Sequence, residues 1–199
     1  IKKKIIPTWI KKTVKLNKLS PKDFGIKSKK QSIIANTIFM QTEIITKLGS
    51  AELFTKEGNI LTSLDKDVWK VAAFDRIHGT NRHAIGFLEN FGADIGAFAS
   101  TWSFHENDMI VIGSNDSDMS IAANTLIKNQ GGLVVIKSGK IIASLPLQLA
   151  GIISTDSFEK VLSNFEQINN SIVDSGCKFS RPHLIPLFLP FLALPSIRI

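Results

Sequence analysis

Two short stretches hold the side chains that could move a proton or grip an ion. The first is His78-Gly79-Thr80-Asn81-Arg82-His83, which follows an apolar run from Val68 to Phe74. Gly79 lets backbone N–H groups come close to a ligand, and the Arg82 guanidinium can clamp an anion through paired hydrogen bonds. The second is His105-Glu106-Asn107-Asp108, set between two apolar runs. An imidazole and two carboxylates within four positions can ligate a metal or shuttle a proton. Each stretch also has a plainer reading as a polar loop that solvates a turn between strands.

No other motif competes with these two. The chain has no phosphate-binding glycine loop, dinucleotide fingerprint, G-x-S-x-G or H-E-x-x-H. The histidines are His78, His83, His105 and His183, none at the tight spacing of a typical zinc site. Cys177 stands alone, so no internal disulfide can form, which fits a reducing cytosol. With Gly176 before it and no histidine near it in sequence, its thiol is read as a packing group.

The elements that must position the two stretches follow from periodicity. Ile33–Met40 and Thr42–Leu48 read as extended runs rich in β-branched residues, and Gly58-Asn59 marks a turn. Val68–Phe74, Gly96–Trp102 and Met109–Ile112 read as strands, while Ala84–Phe91 fits a strand or a short helix. Ser114-Asn115-Asp116 offers a cap for a helix carrying Met119, Ala122, Ala123, Leu126 and Ile127 on one face, ended by Gly131-Gly132. Leu133–Ile136 and Ile141–Leu145 flank a Ser138-Gly139 hairpin turn. Asp156 with Glu159 resembles a capping box, followed by an apolar face of Phe158, Val161, Leu162, Phe165, Ile168 and Ile172. Gly176 suits the position just past that helix. Hairpins mixed with helices predict an α+β layered domain with a mixed or mostly antiparallel sheet flanked by helices.

Composition bounds the rest. At 199 residues with 44% hydrophobic and 21% charged side chains, the chain is long enough for one packed core. The net charge of +7 is uneven: residues 1–30 hold eleven lysines against one acid, Asp23, so the remainder is net negative. Such a leader could touch nucleic acid or an anionic membrane. No aromatic stripe or recognition motif accompanies it, so a solvated lysine-rich surface is the preferred reading. Ile5-Ile6-Pro7 is too short for a signal peptide, and Leu184–Leu194, broken by Pro186 and Pro190, is too short to span a bilayer. Residues 1–31 read as a strip, with Val14, Leu16 and Leu19 alternating as in a short edge strand; it holds too few apolar residues to fold alone. The compact domain is expected over 32–199. The absence of an initial Met and the apolar ending suggest a fragment of something longer.

Several stretches, each weak alone, run in a shared order. They are Val14-Lys15-Leu16 with Ser20-Pro21-Lys22-Asp23-Phe24; Val71 through Asp75-Arg76-Ile77-His78-Gly79-Thr80-Asn81-Arg82; Gly92 through Ala99-Ser100; and Ile110 through Asp116 with Asp118-Met119. Gly131 through Val135, Leu145-Pro146-Leu147 with Ala150-Gly151, and Phe191 through Pro195 complete the set. In this order the chain is similar to the C-terminal region of bacterial adenine deaminases of the amidohydrolase superfamily. It departs from the family pattern where a His-Asp-Ser-His-Asn stretch is expected and Phe104-His105-Glu106-Asn107-Asp108 stands instead.

The resemblance implies a function for a whole protein. Family members hydrolyse adenine to hypoxanthine and ammonia in purine salvage and adenine catabolism. A divalent metal, manganese or iron, sits in an amidohydrolase barrel and activates water for attack at C6, because a bound cation lowers the pKa of its water. Such barrels use a His-x-His pair, which this chain lacks. The resemblance therefore implies metal ligands upstream of residue 1, none in this chain, and an isolated chain without activity. The strip 1–31 would belong to the small β-domain beside the barrel, and 32–199 would be the adenine deaminase C-terminal domain. Its loops facing the active site would carry His78, Thr80 and Arg82, and His105, Glu106 and Asp108. The expected partners are adenine, the protein's own barrel and further copies of itself, in the cytoplasm, with no membrane and no nucleic acid. The alternatives are a non-catalytic oligomerisation or scaffold domain using Leu184–Leu194, or a basic nucleic-acid-binding module using the leader.

Overall fold

The computed structural model describes residues 6–104 and 106–199. Nine strands form one sheet: β1 (Ser32–Met40), β2 (Thr46–Lys56), β3 (Asn59–Ile60), β4 (Val68–Phe74), β5 (His83–Glu89), β6 (Ala97–Ser100), β7 (Met109–Gly113), β8 (Gly132–Lys137) and β9 (Lys140–Pro146). Their spatial order is β3-β2-β1-β5-β4-β7-β6-β8-β9. Every pairing is antiparallel except β1 with β5. The helices are α1 (Asp116–Asn129), α2 (Phe158–Val173) and the short α3 (Ile185–Phe188). The layers are those of an α+β domain, as the sequence predicts.

β4 is buried along its whole length because both faces of the sheet are covered there. On one face Trp69, Val71, Phe98, Ile110 and Ile112 pack beneath Ile168 and Ile172 of α2 and Ile185 of α3. On the other, Ala72, Phe74, Ala99, Val111 and Val134 meet Met119, Ala122, Ala123 and Leu126 of α1. The spacing of those α1 residues makes one helical stripe. The helix is capped by the Asn115 side chain, which accepts from the Asp118 N–H, and ends at Gln130 in the left-handed region. Close approach demands glycine twice. A Cβ on Gly113 would lie 2.1 Å from Met119 Cγ, and one on Gly96 would run into the Asp118 carboxylate.

The strip ahead of the sheet packs on the α1 face. Val14, Leu16 and Phe24 are buried there. Gln130 and Asn124 of the α1 region bond the backbone at Val14 and Leu19. Residues 12–20 form no strand, so the alternation at Val14, Leu16 and Leu19 marks an extended segment held by side chains and a backbone bond from Lys15 N–H to Arg76 O, and not an edge strand.

Other expectations shift. The second extended run begins at Thr46, because 41–45 form the hairpin turn. The ambiguous Ala84–Phe91 is the strand β5, since it pairs with β4 from His83 to Glu89. The cap of α2 is Ser157, whose hydroxyl accepts from the Lys160 N–H, and not Asp156. Phe158 and Leu162 stand exposed, because only Ile168 and Ile172 are fully covered and Val161 and Phe165 partly so. Within the C-terminal segment Ile185, Leu187 and Leu189 are core residues while Leu192 is exposed. Cys177 is buried, and burial raises its thiol to about 11, in keeping with a packing role.

Candidate functional site

Antiparallel pairing brings the two polar stretches together. Phe74, the last residue of β4, lies opposite Met109, the first of β7. The 75–82 loop and the 101–108 loop therefore leave the same end of the sheet. Gly132 opposite Pro146 brings residues 147–153 to that end as well. The strip arrives there too: Arg76 O accepts from Lys15 N–H at 2.7 Å, and Ile10 O from Ala150 N–H at 2.7 Å.

The 75–83 loop closes on Asp75. Its Oδ1 accepts from Ile77 N–H (3.2 Å) and His78 N–H (3.1 Å) and lies 2.8 Å from His78 Nδ1. Its Oδ2 accepts from the Thr80 hydroxyl at 2.9 Å, with Arg82 Nη2 at 3.6 Å. Asp75 N–H donates back to Arg82 O at 2.9 Å. Burial pushes this carboxyl up, but the His78 donors, the Thr80 hydroxyl and the Ile77 N–H together hold it well below the usual range. His78, Thr80 and Arg82 thus converge on a carboxylate of their own loop, with the His78 and Arg82 side chains mostly exposed.

Arg76 points the other way. It is fully buried. Nη1 donates to Thr13 Oγ1 at 3.3 Å and Nη2 to Asn107 Oδ1 at 3.4 Å, both long, and Nε has no partner. Burial lowers its pKa to about 10, an effect that the nearby Asp108 charge opposes. Room for the guanidinium comes from Gly151, where a Cβ would lie 2.7 Å from Nη1. Beneath it Thr101 Oγ1 donates to Gly151 O at 2.7 Å and accepts from Gly132 N–H at 2.8 Å.

The 101–108 loop carries the other candidates. Asp108 is partly buried, and its carboxyl is raised. Burial contributes most, then the charge of Asp75, with Glu106 adding and Arg76 and His78 opposing. Glu106 Oε1 accepts from Leu192 N–H at 3.3 Å. Phe104 packs on Phe188 and Phe191 at 5.2 and 5.0 Å. Ser103 is buried with a hydroxyl that has no partner. His105 lies outside the described residues. Among the described residues no group of three or more His, Cys, Asp or Glu side chains could hold a metal ion.

Sequence reasoning passed over Asp75 and Arg76. The available signal was their position, directly after an unbroken buried strand, where a charged side chain starts inside the protein and must find partners. A separate cavity of about 350 Å³ opens between β9 and α2, lined by Trp102, Leu145, Leu147, Phe158 and Phe165. Its walls are apolar and offer little to a reacting polar group.

Comparison with known proteins adds to this geometry. A family described as the adenine deaminase C-terminal domain matches residues 43–199. The chain is 54% identical over 193 residues to an adenine deaminase of Cenarchaeum symbiosum strain A, covering 97% of this chain and 32% of that protein. It is 34% identical over 185 residues to an adenine deaminase of Clostridium botulinum strain Langeland, covering 92% of this chain and 31% of that protein. An adenine deaminase of Brucella abortus strain 2308 is 35% identical over 158 residues, 79% of this chain and 27% of that protein. The chain thus spans about a third of the length of these curated relatives.

Proposed function

Since the chain belongs to the adenine deaminase C-terminal domain family, we propose that it serves an enzyme that hydrolyses adenine to hypoxanthine and ammonia in purine salvage. The family match along most of the chain carries this reading. A manganese or iron ion, when bound, would supply hydroxide near neutral pH for attack at C6. The described residues do not fit such a centre, having no cluster that could ligate it. We assign the metal ligands to an amidohydrolase barrel outside this chain, and no step through the metal to the residues here.

What this chain contributes is shape and polarity at one end of its sheet. The Asp75 staple fixes the 75–83 loop, and the buried Arg76 ties that loop to Asn107. We place this polar end, with the candidates His78, Thr80, Arg82, His105, Glu106 and Asp108, against the mouth of the barrel as a wall of the purine site. The same reading makes the enzyme cytoplasmic and homo-oligomeric. Among the described residues no helix is long and apolar enough to cross a membrane.

The test is turnover of adenine by the complete polypeptide supplied with manganese or ferrous iron. Hypoxanthine and ammonia in equal amounts are expected, and none from the 199-residue chain alone. Failure of the complete polypeptide to form hypoxanthine overturns the reading. Ammonia release by the chain alone overturns the assignment of the metal ligands.

A further inference from the structure

We propose that Asp108 accepts a hydrogen bond from the exocyclic amine of the bound purine, and that Arg76 is the positioning residue that holds it there. The inference rests on the adenine deaminase reading and names the part of this domain that touches substrate.

Three observations carry it. The first is a contrast in hydrogen bonding. Asp75 has four donors from its own loop, whereas no described residue donates a side-chain or backbone hydrogen bond to the Asp108 carboxylate. The carboxylate is only partly buried and its oxygens remain open to solvent, so a ligand donor can take the place of water there. The second is the fully buried Arg76. Its Nη2 reaches Asn107, the neighbour of Asp108, and its Nε has no partner. A guanidinium kept out of water with long hydrogen bonds and one idle N–H is a poor stabilising device. It makes sense as a fixed positive charge behind a loop whose carboxylate must stay in place. The third is a further buried, unpartnered polar atom in the same loop, Ser103 Oγ. Unmet hydrogen-bonding capacity gathers on this loop and its brace.

The charged groups that act on Asp108 are Asp75, Arg76 and His78 from the β4–β5 loop and Glu106 from its own loop. Burial and the neighbouring carboxylates raise its carboxyl, while Arg76 favours the charged form. A carboxylate is the better acceptor for an amine N–H, so Arg76 keeps Asp108 in the form the contact needs.

The experiment uses the complete enzyme. Wild-type turnover of adenine is measured first; its absence overturns the parent reading and this one with it. Given wild-type turnover, Asp108→Ala is expected to raise KM for adenine about ten- to a hundredfold, the range for a lost hydrogen bond to a charged group. Asp108→Asn, which keeps an acceptor oxygen, loses less. Arg76→Gln is expected to raise KM and to move the acid limb of kcat/KM to higher pH, because the charge that favours the Asp108 carboxylate is gone. Arg76→Lys, which keeps the charge, recovers part of the loss and covers the case in which Arg76→Gln folds poorly. The double variant Arg76→Gln/Asp108→Ala is expected to be no worse in KM than Asp108→Ala alone, since one residue acts through the other. With an active wild type, an unchanged KM in Asp108→Ala overturns the proposal alone. Effects that multiply in the double variant overturn the role of Arg76.

Discussion

The two polar loops at one end of the sheet look alike in sequence and differ in how their charges are met. The 75–83 loop satisfies itself: the Asp75 carboxylate takes donors from Ile77, His78 and Thr80, with Arg82 close by. The 101–108 loop is held from outside, by the buried Arg76 of the neighbouring loop and by the C-terminal segment at Phe188, Phe191 and Leu192. A loop that meets its own hydrogen-bonding needs has little left to offer a ligand. A loop fixed by its neighbours can keep a polar group unmet. The histidine and arginine that first draw the eye at 78 and 82 thus belong to the self-contained loop.

The comparison can be broken at the glycines. Gly151, at φ +73, leaves a Cβ no room beside Arg76, whereas Gly79, at φ +69, has nothing nearer than 3.7 Å. Gly151→Ala is expected to cost about 3 kcal/mol or more, from backbone strain plus overpacking. Gly79→Ala should cost only the strain, about 1 kcal/mol. Urea unfolding of both variants checks this, and equal losses would erase the distinction between a braced loop and a free one.

Asp75→Ala comes next, with an expected loss of about 2 kcal/mol at pH 7, since it leaves donors in its loop without their acceptor. The folded carboxyl is depressed, so the stability it contributes is full above the unfolded value of about 3.9 and is lost as pH falls through the lower folded value. The gap between wild type and variant should therefore narrow below about pH 4. A gap independent of pH down to the acid transition would show that the staple is not carried by the carboxylate.

The smallest effects belong to the exposed partners. His78→Ala and Arg82→Ala should each change stability by less than about 0.5 kcal/mol, since exposed ion pairs contribute little. Adenine turnover in the complete enzyme should change less in these two variants than in Asp108→Ala. If Arg82→Ala proves the more damaging, the roles assigned to the two loops are reversed.

Much of the scaffold could be read from the residues. β4, β7 and β8 are apolar runs with clear limits, and α1 announces itself through Asn115 and the Met119–Leu126 stripe. β5 is ambiguous in sequence because its identity comes from pairing with β4, a long-range fact that local pattern does not hold. The cap of α2 lies one residue beyond Asp156, because Asp156 and Ser157 are both good caps and the backbone chooses between them. At the site, the clustering of polar types marks two loops that strand pairing brings to one end of the sheet. It could not show that Asp75 absorbs the first cluster, or that Arg76 turns inward to meet Thr13, Asn107 and Gly151.

The housing of Arg76 bears on how the chain reaches its final state. Its partners lie 63 residues before it and 31 after it, and the gap that admits it is shaped further on by Gly151. Contacts of such sequence separation form late, after the entropy of closing the intervening loops has been overcome. A nascent chain halted short of Gly151 would already carry Thr13 and Asn107 but lack the wall that closes over the guanidinium, so the burial of Arg76 is completed only when the last of these segments has been made.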